Sequence, residues 1–221
     1  MKSFSTGILR KFLMALTGLG LCVFLVAHLA GNLLIFGGAE AFNAYSHKLV
    51  SNPFVLIPVE AGLLGLFLYH IYLAIRVTVT NRRARPQGYH EKKRAGRPSR
   101  KSLASSTMIF SGLLVLAFTV IHLKTFKYGP HYESATPGVR DLHRLVLEVF
   151  TNPLYVAWYV LCMILLGLHL AHGFSSAFQS LGIDHPRLTP KILALGKIFA
   201  LVIAGGFLIL PVWIFFSGGA P

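Results

Sequence analysis

The chain has 221 residues, of which 54% are hydrophobic and only 13% are charged. Soluble domains carry about twice that charged fraction, so the composition excludes an ordinary soluble protein and favours a membrane protein. The formal net charge of +14 could suggest a nucleic-acid partner. The basic residues are concentrated in one segment with almost no interleaved aromatic side chains, which argues against nucleic acid.

Five apolar blocks follow one another along the chain. Each block exceeds the ~20 residues that a helix needs to cross ~30 Å of hydrocarbon. Backbone groups in lipid must be satisfied within the segment, so we interpret each block as a helix. The sequence therefore predicts an all-α membrane protein with five transmembrane helices in a single domain over residues 1–221. The predicted spans are about 11–36, 54–79, 103–127, 153–178 and 193–216.

The charges of the connecting segments predict the orientation. Residues 81–101 hold nine of the 21 Lys and Arg residues of the chain and form a basic loop, which the positive-inside rule assigns to the cytoplasm. The N-terminus and residues 179–192 are also basic and fall on the same side. Residues 37–53 and 128–152 carry few basic side chains and fall outside. We therefore expect a cytoplasmic N-terminus and an external C-terminus.

Four of the five predicted spans each contain a candidate site histidine: His28, His70, His122 and His169. Ionisable side chains inside a membrane span are costly and usually functional. His28 and His122 fall in the outer half of their spans, whereas His70 and His169 fall in the inner half. At about 1.5 Å per residue the two levels differ by roughly 13 Å.

This arrangement predicts the axial ligands of two haems. A haem iron needs one imidazole on each face of the porphyrin, so its ligands must come from facing helices at the same depth. That requirement pairs His28 with His122 and His70 with His169. His169 and His172 cannot clamp one iron together, because residues three apart lie on one helix face. His172 is a candidate for a supporting contact and the main rival of His169, and a buried histidine can also serve only as a hydrogen-bonding group between helices.

Three further polar residues are candidate site residues. Glu60 is the one acid within a predicted span, and we expect it either to exchange protons with a quinone or to reach outward to the lipid headgroups. Asn32, one turn after His28, is a candidate for quinone binding or for helix packing. Arg76 is a candidate partner for a haem propionate, or an anchor at the inner interface. Lys127 is expected to extend to the outer interface.

Several stretches carry a resemblance to a known family. They are residues 168–182, residues 38–43, the Asn-Pro-Leu-Tyr sequence from Asn152, and the Ile-His-Leu sequence around His122. In their order and spacing the chain resembles the cytochrome b subunit of succinate:quinone oxidoreductases (succinate dehydrogenase and fumarate reductase). Within that group it is similar to the single-chain, five-span, two-haem type often called cytochrome b558.

The resemblance implies a function. Four helices would form a bundle around two b-type haems, with His70 and His169 holding the proximal haem and His28 and His122 the distal one. The family's ligand in span four is followed by glycine four residues later, which selects His169 over His172. The chain would anchor a flavoprotein subunit and an iron–sulphur subunit to the bacterial cytoplasmic (inner) membrane. It would exchange their electrons with a quinone, of which menaquinone is the expected one, and the whole complex could dimerise.

The resemblance has one departure, and the sequence leaves alternatives open. Some fumarate reductases carry a glutamate two residues before the span-four ligand, where this chain has Gly167, so proton transfer by that route is in doubt. The alternatives are the dihaem cytochrome b subunit of a hydrogenase or formate dehydrogenase, and a transporter or channel without haem. As a subunit, the chain has no expected chemistry of its own on succinate or fumarate.

Overall fold

The computed structural model describes residues 2–84 and 103–218, and their regular structure is helical apart from one isolated β-bridge between Glu133 and Arg140. A 3₁₀ turn, Leu34–Gly37, joins the first two helices, and a π-helical turn, Leu123–Lys127, extends the fourth. The helices are α1 (Lys2–Leu33), α2 (Gly38–Val50), α3 (Pro53–Arg83), α4 (Leu103–His122), α5 (Leu142–Phe150), α6 (Pro153–Ser180) and α7 (Thr189–Ser217).

Five helical stretches are long and apolar enough to cross a membrane, which confirms the predicted all-helical, five-span fold at this level. The first stretch, Gly7–Val50, is 44 residues long because α1, the 3₁₀ turn and α2 run on without a break. The predicted basic loop 81–101 lies outside the described residues from position 85 onward. The other stretches are Pro53–Arg83, Thr107–Lys127, Pro153–Ser180 and Thr189–Ser217.

Two of the spanning helices begin at the same local motif. The side chain of Asn52 accepts a hydrogen bond from the backbone N–H of Phe54, and the side chain of Asn152 accepts one from Leu154. Each asparagine is followed by proline at the first helical position, where a missing N–H costs nothing and the fixed φ favours the helix. The Asn-Pro pair therefore starts α3 and α6 in the same way.

Four of the long helices pack in a closed ring. α1 contacts α3 and α6, and α4 contacts the same two helices, so α1 lies diagonally opposite α4 and α3 diagonally opposite α6. α7 packs along α6 on the outside of this ring and also reaches α1. The core between α6 and α7 is apolar and includes Cys162, Leu166, Leu170 and Ile203.

The two segments predicted to lie outside the membrane each contain a short helix, α2 and α5, and these helices are tied together by Asn43. The buried Asn43 amide donates to Asp141 Oδ1 at 2.8 Å, and its carbonyl oxygen accepts from the backbone N–H of His143 at 2.9 Å. Asp141 also caps α5 by accepting from the N–H of Arg144. Burial lowers the pKa of His143, and the nearby Asp141 carboxylate opposes that shift. α2 and α5 therefore form a cap over one end of the ring, which we call the α2/α5 end.

The outer surface of the helices is apolar. On α3, for example, Phe54 is 89% exposed and Ile57 is 63% exposed. Such a surface is stable in hydrocarbon and unstable in water. The helices therefore expose a surface that fits contact with a lipid bilayer.

Candidate functional site

His28 and His122 face each other across the ring of helices. Their ring centroids lie 5.8 Å apart and their planes are nearly perpendicular, at 87°. Aromatic side chains surround the pair: Phe24 stacks on His28 and Phe118 stacks on His122. The structure thus brings together two histidines from the diagonally opposite helices α1 and α4. Aromatic side chains pack around them.

Two polar side chains contact this pair. Nδ1 of His122 is hydrogen-bonded to the hydroxyl of Tyr159, at 3.0 Å. The amide of Asn32 donates to the backbone carbonyl of His28 at 2.8 Å, one helical turn back, and lies 3.4 Å from Nδ1 of the same residue. Asn32 therefore lies against His28 from its own helix, and Tyr159 reaches His122 from α6.

The other two site histidines, His70 on α3 and His169 on α6, lie deeper along the ring from the α2/α5 end, at the levels of Thr17 on α1 and Ser111 on α4. Nδ1 of His70 lies 3.0 Å from Oγ1 of Thr17 on α1. Nδ1 of His169 lies 3.1 Å from Oγ of Ser111 on α4. Each of these histidines therefore lies within hydrogen-bond distance of a hydroxyl on the first long helix of its half of the chain. This helix is α1 for His70 and α4 for His169.

A glycine beside each hydroxyl gives the imidazole room. A Cβ built on Gly18 would lie 3.3 Å from Cε1 of His70, and one built on Gly112 would lie 3.5 Å from Cε1 of His169. A methyl group at Gly18 would press on the His70 ring, whereas one at Gly112 would be in ordinary van der Waals contact with the His169 ring. The pairs Thr17-Gly18 and Ser111-Gly112 therefore form equivalent contacts with the imidazoles of His70 and His169.

The equivalence extends along both helices and reveals a repeat. Thr17-Gly18 precedes His28 by the same spacing as Ser111-Gly112 precedes His122, with nine residues between glycine and histidine. After α2 and α5, an Asn-Pro pair starts the helix that carries the second histidine of each half. The hydroxyl-Gly-x9-His spacing was the sequence signal that could have identified Thr17 and Ser111. No comparable signal identifies Tyr159.

The distance between the rings of His28 and His122 is compatible with two imidazoles on one metal ion. Metal–nitrogen bonds of about 2 Å place two ligating rings on opposite sides of one ion with centroids about 6 Å apart, close to the 5.8 Å between His28 and His122. Among the described residues, no group of three or more His, Cys, Asp or Glu side chains could hold a metal ion. A haem iron needs only two protein ligands, because the porphyrin supplies the other four nitrogens.

The remaining candidates lie around these pairs. Glu60 on α3 forms an ion pair with Lys127, in the π turn that follows His122, and both side chains are about 40% exposed. His172 is half-buried on α6, three residues after His169. Arg76 is exposed on α3, with its guanidinium 6.0 Å from the centroid of the Tyr72 ring. Lys127, which the sequence predicts to extend to the outer interface, is partly exposed and is paired with Glu60.

The fold and these contacts fit a multi-pass helical membrane protein with a histidine on each of four ring helices, two of which, His28 and His122, face each other. No family model, no curated protein and no solved structure matches the chain. A functional conclusion therefore depends on the residues of the chain and their geometry.

Proposed function

We propose that this protein is a dihaem cytochrome b that anchors a succinate dehydrogenase or quinol:fumarate reductase complex and transfers electrons between its iron–sulphur subunit and a quinone, with menaquinone as the expected one. The observation that carries the proposal is the contact between His28 and His122 from opposite helices of one ring, with His70 and His169 on the other two helices at a deeper level. His28 and His122 would hold one haem b, and His70 and His169 the other. A bound haem supplies one-electron transfer at a potential set by its axial ligands, their hydrogen bonds and the surrounding polarity.

The spacing of the two levels supports an electron path along the ring. Thr17, which contacts His70, and His28 are 11 residues apart on α1, and Ser111 and His122 are 11 residues apart on α4. A helical rise of about 1.5 Å per residue places the two levels about 16 Å apart. Two haems at these levels would relay electrons across most of the hydrocarbon thickness.

Glu60 is the candidate group for quinone protonation. Quinone reduction takes up two protons, so its site needs a protonatable group beside the electron donor. Glu60 lies ten residues before His70 on α3, as Tyr159 lies ten residues before His169 on α6, and Tyr159 contacts His122. This equivalence and the ion pair to Lys127 support a role for Glu60 beside the His28–His122 pair. The competing role is a surface ion pair, whose contribution to stability is small.

Charge distribution supports the placement of the partners. The basic loop and the basic N-terminus favour the cytoplasmic side, where a flavoprotein subunit and an iron–sulphur subunit would dock near the His70–His169 pair. The quinone site would then lie toward the α2/α5 end. The proposed location is a bacterial cytoplasmic membrane, with dimerisation of the complex as a further expectation from the resemblance.

Haem spectra of single variants test the haem assignment. We expect a reduced-minus-oxidised spectrum with b-type bands and two haems per chain, and loss of one haem in each variant His28→Ala, His70→Ala, His122→Ala and His169→Ala. His172→Ala and the exposed His47→Ala are matched controls that should retain both haems. A wild-type spectrum without b-type bands would refute the assignment and favour a transporter without haem.

The partner that co-purifies tests the complex. A flavin-containing partner supports the proposal, whereas a nickel or molybdenum protein would instead identify a hydrogenase-type or formate-dehydrogenase-type cytochrome. In the intact complex, Glu60→Gln is expected to lower quinone-coupled turnover by about 100-fold, the usual contribution of an acid–base group. Glu40→Gln, an exposed carboxyl at the start of α2, is the control. Unchanged turnover of Glu60→Gln with intact haem spectra would exclude the role of Glu60.

A further inference from the structure

The hydroxyls of Thr17 and Ser111 are buried inside the membrane-spanning helices, and each lies within hydrogen-bond distance of a backbone carbonyl of its own helix and of an imidazole; Thr17 also lies 3.0 Å from the carbonyl oxygen of Met14. Thr17 is 6% exposed and Ser111 is 5% exposed. Thr17 Oγ1 lies 2.9 Å from the carbonyl oxygen of Leu13 and 3.0 Å from Nδ1 of His70. Ser111 Oγ lies 3.1 Å from the carbonyl oxygen of Met108 and 3.1 Å from Nδ1 of His169. The two hydroxyls therefore sit in the same hydrogen-bonded arrangement in the two halves of the chain.

When a hydroxyl bonds its own helix and the imidazole at the same time, the chemistry of its groups sets the direction of both hydrogen bonds. A hydroxyl has one proton to donate and two lone pairs that accept. A backbone carbonyl only accepts, so the proton of Thr17 and that of Ser111 are used within their own helices. The imidazole must then donate, which places its proton on Nδ1. A neutral imidazole that carries its proton on Nδ1 has its lone pair on Nε2.

We propose that Thr17 and Ser111 are positioning residues that hold His70 and His169 in the Nδ1–H tautomer, direct Nε2 of each toward one haem iron, and lower the potential of that haem. The proposal rests on the proposed function, since it assumes that His70 and His169 ligate haem. A metal-ligating histidine that donates its other N–H is oriented by that bond and becomes a more basic ligand. A more basic ligand stabilises ferric iron relative to ferrous iron.

The His28–His122 pair serves as an internal comparison. Tyr159 contacts Nδ1 of His122, but its phenol proton has no backbone carbonyl partner among the hydrogen bonds of the described residues. A phenol can donate or accept, so this contact does not set the tautomer of His122 by itself. Among the described residues, the carbonyl–hydroxyl–imidazole arrangement is therefore found at His70 and His169 and not at His122.

The test is a redox titration of the two haems in the purified complex carrying Thr17→Val or Ser111→Ala, each of which removes the hydroxyl and keeps nearly the same shape. At a fixed ambient potential we expect the ferric-to-ferrous ratio of one haem to fall about tenfold, an upward shift of about 59 mV for a one-electron couple. The other haem should titrate unchanged. The low-spin ferric EPR signal of the affected haem should move as well, because its ligand rings are free to rotate.

Three control variants separate this role from packing. Thr17→Ser and Ser111→Thr keep the hydroxyl and should retain the wild-type potential. Ser175→Ala removes a buried serine hydroxyl that donates to the carbonyl of Ala171 on α6, and it should leave both potentials unchanged. Equal shifts in Ser175→Ala and Ser111→Ala, or unshifted potentials in Thr17→Val and Ser111→Ala with both haems present, would overturn the proposal.

Failure of this proposal is distinguishable from failure of the proposed function. If the wild-type complex contains no haem b, the proposed function fails and this inference fails with it. If the wild type binds two haems and the four histidine variants each lose one, the function stands. The potentials of the hydroxyl variants then decide the roles of Thr17 and Ser111 alone.

Discussion

Alanine at Gly18 and alanine at Gly112 should have different effects, although the two glycines occupy equivalent positions. A Cβ on Gly18 would lie 3.3 Å from Cε1 of His70, whereas one on Gly112 would lie 3.5 Å from Cε1 of His169. Carbon atoms in favourable contact are about 3.5–4.0 Å apart. Gly112→Ala therefore fits, and Gly18→Ala requires the His70 ring to move by a few tenths of an ångström.

The size of the Gly18→Ala effect follows from the neighbouring hydrogen bond. The ring moves away from α1, and Thr17 precedes Gly18 on that helix, so the 3.0 Å bond from His70 to Thr17 Oγ1 lengthens toward its geometric limit. Loss of such a bond costs about 1 kcal/mol, or about a fivefold change in an equilibrium. The helix itself gains about 0.5–1 kcal/mol from replacing glycine by alanine, so the fold should persist.

Haem content and redox titration of the two variants measure this difference. We expect Gly18→Ala to raise the potential or lower the occupancy of one haem, and Gly112→Ala to behave as wild type. Both variants should insert and purify normally. Equal behaviour of the two variants, or a larger effect in Gly112→Ala, would refute the reasoning from ring contacts.

Three further predictions concern the cap and the outer helix. Asn43→Leu should destabilise the cap by about 1–3 kcal/mol, because it leaves the buried N–H of His143 without its acceptor; faster hydrogen–deuterium exchange in α5 than in α7 would show this. Because the folded cap lowers the pKa of His143, the cap keeps its full stability above pH 6.5, the pKa of this histidine in the unfolded chain. This stability is lost as the pH falls through the lower pKa of the folded state. Exchange in α5 should therefore accelerate below about pH 6.5, and His143→Gln should remove that dependence. Gly196→Ala should loosen α7 from α6, because its Cβ would lie 2.7 Å from Ser175 Oγ; a lower thermal unfolding temperature with unchanged haem spectra is the expected result.

The five spans could be predicted because membrane insertion depends mainly on length and composition, which are local properties of the sequence. The sequence pattern does not predict the helices α2 and α5, because both are short. Their stability comes from contacts with each other through Asn43 and with the ends of the long helices. The Glu60–Lys127 ion pair was also missed. Each residue alone fits an interfacial position, and only the packing of α3 beside the π turn joins them.

The contacts of the histidines were partly accessible. The positions of the loops alone predict that His28 and His122 lie at the same depth in the membrane. The structure brings these two residues together. The hydroxyls of Thr17 and Ser111 are harder to recognise, because a serine or threonine in an apolar helix usually bonds its own backbone. They do so here too, and it is the second bond, to an imidazole on another helix, that needs the tertiary structure.

The repeat explains why two pairs arise from one pattern. α1 corresponds to α4, and α3 corresponds to α6, so His28 and His122 occupy one position of the repeat and His70 and His169 occupy another. Each pair therefore joins equivalent residues from the two halves, as across a two-fold interface, where a residue meets its own counterpart. The packing is consistent with this repeat. Exchanging α1 with α4 and α3 with α6 turns the α1–α6 contact into the α4–α3 contact, and the structure contains both contacts. A two-fold relation between the halves would place His28 beside His122, as the structure does, and would place His70 beside His169.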